Sequence, residues 1–231
     1  MDFAFGEPET VADFIIIGTL EILLLAIGIL LALKINNWNQ KKKEFQQTQD
    51  LLKLLVKDIN ENRDEIVRDA EQGKEMIKLF KRVIDKKDQF ENVSAEDIDL
   101  ALKLTSADHY FFAQSPAFTR LENSNLWEKI SDGLNSKIHH VYYGRIGIIK
   151  HRFAKHVEYA TSFKLNYMTP NNLFDPTLDD KQRKAVVTKT LDEFLHYLYL
   201  IHYSVETQVK FWEDTIGIID ETILDIEEII L

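Results

Sequence analysis

The chain has 231 residues, 45% hydrophobic and 29% charged, a composition that can bury a core. Its net charge of −10 argues against non-specific binding to nucleic acid, which needs a basic surface. The lack of cysteine excludes disulfides, thiolate catalysis and Cys-ligated metal, and with only 8 glycines and 4 prolines the chain has few helix breaks.

The first 13 residues form a short acidic segment, with Asp2, Glu7, Glu9 and Asp13 and no Lys or Arg. From Phe14 to Leu33 only Gly18, Thr19, Glu21 and Gly28 are not plainly apolar. At ~1.5 Å per residue this run covers roughly 30 Å, the hydrocarbon thickness of a bilayer. A transmembrane helix is therefore expected over residues 14–35, followed by a helical soluble domain over 36–231. A cleavable signal peptide would need a basic start and a small-residue cleavage site. Here the start is acidic and the far end runs into Lys34 and Trp38, so the segment reads as a retained anchor. A buried core helix is the bland alternative, but the run is too long and too uniformly apolar for it.

At roughly 100° per residue, Phe14, Gly18, Glu21, Leu25, Gly28, Ala32, Asn36 and Asn39 fall within an arc of about 80°. That stripe holds both glycines of the run and its acid. Small residues let helix backbones approach, and a polar group in lipid needs a protein partner. Gly18, Glu21, Leu25, Gly28 and Ala32 are thus the expected helix–helix contact, with Glu21 protonated or hydrogen-bonded inside it and a homo-oligomer as the result. In the competing reading Glu21 snorkels to water. Asn36, Asn37, Trp38 and Asn39, with Lys41, Lys42 and Lys43, read as anchors at the membrane interface, the lysines against lipid headgroups. Positive charge on this side alone places the soluble domain in the cytoplasm.

Phe45, Leu52, Ile59 and Ile66 recur every seven residues, with Leu55 between, as in a coiled-coil seam. They predict one helix from about Val11 to Gln72, ended near Gly73, with a short second helix through Met76, Ile77, Phe80, Val83 and Ile84. Ser94, three residues before Asp97, caps a third helix. Ser115 before Pro116 marks another start, and breaks are expected at Ser124-Asn125 and near Gly133. Ile138, Val141, Ile148, Ile149, Phe153, Val157, Ala160 and Phe163 predict a long helix to about Lys164, followed by a loop from Tyr167 to Asp180. Leu191, Phe194, Leu198, Ile201, Val205, Val209, Trp212, Ile216, Ile219, Ile223, Ile226 and Ile230 then step by threes and fours. They predict a final helix of about 60 Å with one irregularity at Val205–Val209. The fold class is all-α: a transmembrane helix continuing into a stalk helix, then an antiparallel bundle with a long C-terminal helix.

Two stretches carry a family likeness. Ile17-Gly18-x-x-Glu21-Ile22 followed by Ile27-Gly28-Ile29-Leu30-x-Ala32-Leu33-x-Ile35-Asn36-Asn37-Trp38-Asn39 is the first, and Pro116 to Ile130 (PAFTRLENSNLWEKI) is the second. The chain resembles the uncharacterised Bacteroidota membrane proteins grouped as domain-of-unknown-function family 6090. The resemblance implies a single-pass protein of the bacterial inner membrane with a helical soluble domain, and implies no activity. Members of that family commonly begin with a basic segment, which this chain lacks. A basic start would favour the opposite orientation, so a periplasmic soluble domain stays open.

Chemical motifs are sparse. Glu193-x-x-His196 has the spacing of one half of a di-iron bundle site, but such a site needs a second half-motif and two more carboxylates. No metal and no cofactor are expected. His139, His140, His151, His156, His196 and His202 accompany Tyr142, Tyr143, Tyr159, Tyr197, Tyr199 and Tyr203 on two long helices. They could line a ligand-binding or pH-sensitive cleft, although histidines and tyrosines between helices are more commonly packing residues. Arg120, Glu122 and Asn123 interrupt an apolar pattern, either to hold a turn or to meet a partner, with the turn preferred. The sequence favours a membrane-anchored, non-enzymatic interaction or scaffold protein that self-associates through its transmembrane helix and bundle and meets an unknown protein partner. The alternatives are a membrane-tethered sensor or ligand-binding domain and, behind it, a bundle metalloenzyme.

Overall fold

The computed structural model describes residues 11–230, with side chains from Ile15 onward. Residues 1–10, most of the expected N-terminal segment, and the Phe14 side chain lie outside the described residues. Among the described residues every regular element is helical. Helix α1 spans Val11–Ile84, and a 3₁₀ turn follows at Lys87–Asn92. Next come α2 (Ala95–Ser106), α3 (Pro116–Glu122) and a 3₁₀ turn at Trp127–Lys129. Helix α4 (Asp132–His139) runs through a π-helical stretch, His140–Ile146, into α5 (Gly147–Phe163). A second π-helical stretch, Lys164–Met168, precedes α6 (Asp180–Lys189) and α7 (Leu191–Ile230).

The chain divides after Asp50 into two units. In the first, α1 is long and apolar enough to cross a membrane. Its apolar side chains stand exposed around the helix, from Ile22 at 73% and Leu25 at 68% to Ile27 at 45%. Trp38 is exposed as well, with the Lys42 ammonium 5.7 Å from its ring centre. Phe45, the first residue of the expected seam, is also exposed.

The second unit, from Leu51, is a bundle whose core begins where the heptad residues do. Leu52, Leu55, Ile59 and Ile66 of α1 are fully buried, and so are Phe194, Leu198, Ile201, Ile219 and Ile226 of α7. Burying such a side chain contributes about 1.5–3 kcal/mol, so these apolar faces dominate the packing. The two helices run antiparallel. Arg63 donates to both carboxylate oxygens of Asp220, and Lys74 pairs with Glu213 at 2.6 Å. Helix α7 also packs on α2, α4 and α5, and α2 packs on α5 and α6. Asp179 and Gln182 form a capping box that starts α6, a helix with no apolar period in the sequence to announce it.

Two local expectations need correction, at Gly73 and at Ser115. Gly73 does not end the first helix, because α1 continues to Ile84 and absorbs the predicted second helix. A β-carbon on Gly73 would lie 2.5 Å from Val209 Cγ2 and 3.3 Å from the Trp212 ring, so the glycine lets α7 approach rather than breaking α1. The break expected near Gly133 is present at Ile130–Ser131, where the Ser131 hydroxyl accepts the Leu134 N–H and starts α4. Ser115 precedes α3 as expected, yet its side chain makes no capping bond. Instead the Ala117 N–H donates to Asp58 of α1 at 2.8 Å, a long-range substitute for a cap.

Candidate functional site

A polar ladder on α1 positions the site. Asp58, Asn62, Glu65 and Asp69 follow at intervals of four, three and four, which places them on one helical face. All four hold the non-helical segment between α2 and α3 and the first turn of α3. Asp58 takes the Ala117 N–H; Asn62, fully buried, donates to the Gln114 carbonyl at 2.7 Å and accepts the Gln114 N–H at 2.6 Å. Glu65 accepts the Phe112 N–H at 3.5 Å, and Asp69 pairs with His109 Nε2 at 3.0 Å.

At the Asp69 end of this ladder lies a cavity of about 200 Å³ formed by α1, α2, the segment after α2, α5 and α7. Its aromatic wall is Phe153 of α5 stacked on Trp212 of α7, with centroids 5.4 Å apart. The His109 ring lies 5.1 Å from Phe153, and Phe111 stacks on the same ring at 5.9 Å. Met76, Leu104 and Val205 add apolar surface. The polar lining is Asp69, Gln72, His109, His156 and Gln208, and it holds no Lys or Arg.

Three of these residues share an unusual property. Asp69 Oδ2, His156 Nδ1 and Trp212 Nε1 are buried without a hydrogen-bond partner, in side chains that are 7%, 5% and 4% exposed. A buried polar atom left unpaired costs about 1–3 kcal/mol, and each of these three is closed to solvent. Charge is tuned in the same place. The hydrogen bond to Asp69 raises the His109 pKa, while burial, then repulsion from His109, lowers that of His156. Burial also raises Glu65. The Asp69 bond thus favours the protonated form of His109, and burial favours the neutral form of His156.

Of the expected tyrosine–histidine cleft only His156 reaches this cavity. His202 sits edge-on to Phe80, 6.5 Å away, and burial lowers its pKa. His139 packs against Phe118, Trp127 and Tyr143. His140, His151, Glu193 and His196 are exposed, so the Glu-x-x-His pair faces away from the bundle interior. Among the described residues no three His, Asp or Glu side chains converge as a metal-binding group. Asp69, His109 and Trp212 were not among the chemical candidates. Trp212 looked like one more seam residue, and His109 lies in a segment without periodicity. An acid at a buried position between Ile66 and Ala70 was the one available signal.

In the Pro116–Ile130 stretch Asn123 and Ser124 make turn bonds. The Asn123 side chain donates to the Thr119 carbonyl at 2.8 Å, and the Ser124 hydroxyl donates to the Leu121 carbonyl at 2.7 Å. Glu122 accepts the Tyr143 hydroxyl at 2.9 Å and lies 4.0 Å from His139. Arg120 is exposed. Phe118 fills the centre, stacked on the buried Tyr142 at 4.3 Å, and burial, with a smaller contribution from Asp58, raises the Tyr142 pKa.

In the first unit Gly18, Glu21, Leu25, Gly28 and Ala32 share one face of α1. Glu21, Leu25, Gly28 and Ala32 are exposed, and β-carbons on Gly18 and Gly28 would meet nothing within 4 Å. Asn36, Asn37, Asn39, Lys41, Lys42 and Lys43 are exposed on the same helix. Comparison with family models, curated proteins and solved structures returns no match.

Proposed function

We propose that the chain is a membrane-anchored, non-enzymatic helical interaction protein that self-associates through its transmembrane helix. The observation that carries this reading is the exposed apolar surface of α1 over Ile15–Leu33, a length of helix that its own chain leaves uncovered. Lipid is the environment in which such a surface costs nothing. Gly18, Glu21, Leu25, Gly28 and Ala32 form the contact between copies, since the space over both glycines admits a second helix backbone. The likeness to domain-of-unknown-function family 6090 belongs to the same proposal, and with it the bacterial inner membrane. The basic flank of Lys34 and Lys41–Lys43 supports a cytoplasmic side for the bundle, and a protein partner is proposed to meet it there. A reporter joined after Leu231 and active on one side only tests that orientation, and activity on the periplasmic side reverses it.

The anchor is tested by flotation of the full-length protein with liposomes. The protein is expected to float and to resist alkaline carbonate extraction. Release of folded, monomeric protein into the aqueous fraction sinks the proposal. Association in membranes, read by cross-linking or energy transfer, is expected to fall at least tenfold in Glu21→Leu or Gly28→Ile. Unchanged association in both variants removes the stripe from the account.

A further inference from the structure

We infer that a second site, the groove between α5 and α7, binds a small phosphate monoester with an apolar body. The sequence supplies the first reason. From Gly133 to Val157 the chain carries Lys137, Arg145, Lys150, Arg152 and Lys155 and no Asp or Glu, in a protein whose net charge is −10. Helix α7 neutralises the first of these cations, since Lys137 pairs with Asp225. Further along the same two helices the partners change in kind. Arg145 donates to the Thr215 hydroxyl and the Phe211 carbonyl, and Arg152 donates to the Thr207 carbonyl at 3.1 Å. Both guanidinium groups also lie over the Phe211 ring, 4.1 and 4.5 Å from its centre. Carbonyls and a ring hold a guanidinium in place without cancelling its charge. Arg145 still has Asp214 within electrostatic reach, whereas among the described residues Arg152 pairs with no carboxylate.

Arg152 opens onto a groove of about 290 Å³. Arg152, Lys155 and Tyr159 form its α5 wall, Tyr203, Ser204 and Gln208 stand on its α7 wall, and no Asp or Glu lines it. Gln208 donates to the Ser204 hydroxyl oxygen at 3.0 Å, which leaves the hydroxyl proton to be given. Arg152 keeps N–H groups beyond the one spent on Thr207. Lys155 meets Glu158 at 2.6 Å, an exposed pair of the kind that contributes little and yields to a better partner. Fixed positive charge, several donors and no carboxylate call for an anion rich in acceptor oxygens. A phosphate monoester offers three on one centre, a carboxylate only two. The Tyr159 and Tyr203 rings, with Leu200, supply apolar surface for the body that carries the phosphate, and the size of the groove keeps that body small. Every residue invoked lies in the second unit, so the site is independent of the anchor.

The test is isothermal titration of the full-length protein in phosphatidylcholine nanodiscs at fixed ionic strength. Phenyl phosphate is the probe, with benzoate and the neutral triester dimethyl phenyl phosphate as comparators. Phenyl phosphate is expected to bind saturably, about tenfold or more tightly than either comparator. Arg152→Gln should weaken that binding about tenfold or more. Lys155→Gln and Ser204→Ala should each weaken it severalfold while circular dichroism shows an unchanged helical melt. Should Arg152→Gln not fold, the other two variants decide. Nanodiscs containing phosphatidic acid, with phosphatidylglycerol as the control of anionic surface, separate two sources of the phosphate. Weaker probe binding with phosphatidic acid than with phosphatidylglycerol identifies a lipid headgroup, and binding that does not differ between them identifies a soluble ester. No saturable binding of phenyl phosphate, equal binding of either comparator, or undiminished binding in the folded variants overturns the proposal.

Discussion

Single side chains in the bundle have opposite responses to pH, and the sign of each follows from its surroundings. The Asp69 hydrogen bond raises the His109 pKa, so the folded state holds that proton more tightly than the unfolded chain does. Stability from this pair is complete below the unfolded value of about 6.5 and is lost as pH rises through the higher folded value. His156 and His202 are displaced downward by burial. Their contribution is complete above about pH 6.5 and is lost as pH falls through their lower folded values. Thermal melts are therefore expected to decline on the alkaline side as His109 loses its proton and on the acid side as His156 and His202 gain theirs. In His109→Gln that alkaline decline should flatten while the acid limb stays. An identical alkaline slope in the variant refutes the assignment.

At the scale of elements, α1 has two faces in the bundle that differ in kind. One carries the heptad residues and packs apolar surface. The other carries Asp58, Asn62, Glu65 and Asp69 and holds a segment that has little regular structure of its own. Asn62→Ala leaves both backbone groups of Gln114 without their partner, at a cost of about 1–3 kcal/mol. Asp220→Asn weakens a half-exposed pair with Arg63, for which about 0–1 kcal/mol is expected. Chemical denaturation should therefore rank Asn62→Ala well above Asp220→Asn, and a reversed order would mean that charge, not the ladder, fixes the bundle.

The contrast also explains what could be read in advance. The α7 seam was legible because almost every burial-driven position follows a helical period; the irregularity near Val205–Val209 coincides with the buried Gln208 beside the cavity. The Ser94 cap was legible because it is local, and its hydroxyl does accept the Asp97 N–H at 3.0 Å. The ladder and the cavity were not, because their bonds join residues 40 to 59 positions apart and no local period encodes them. Gly73 misled for a related reason. In isolation a glycine reads as a helix end, and only the approach of α7 gives it another use.

For the whole molecule, the division at Asp50 separates two physical tasks within one continuous helix. The first unit exposes nearly all of its apolar surface, whereas the second encloses its own core. A chain shortened to residues 44–231 keeps Leu52 and every later core position, together with the Glu44 carbonyl that accepts the Thr48 hydroxyl. It should dissolve without detergent and melt within a few degrees of the full-length protein. Its exposed apolar side chains, such as Phe112, Leu165, Tyr203 and Leu224, stand on separate elements or far apart along α7. Among the described residues no helix of the bundle exposes apolar side chains all round, as α1 does in the first unit. The shortened protein should therefore sediment as a monomer while the full chain associates in membranes. If residues 44–231 instead form the same oligomer, the contact lies in the bundle and the glycine stripe of α1 is only a lipid-facing surface. Insolubility of the shortened chain would mean that the apolar segment is part of the folding unit, and the boundary at Asp50 would lose its meaning.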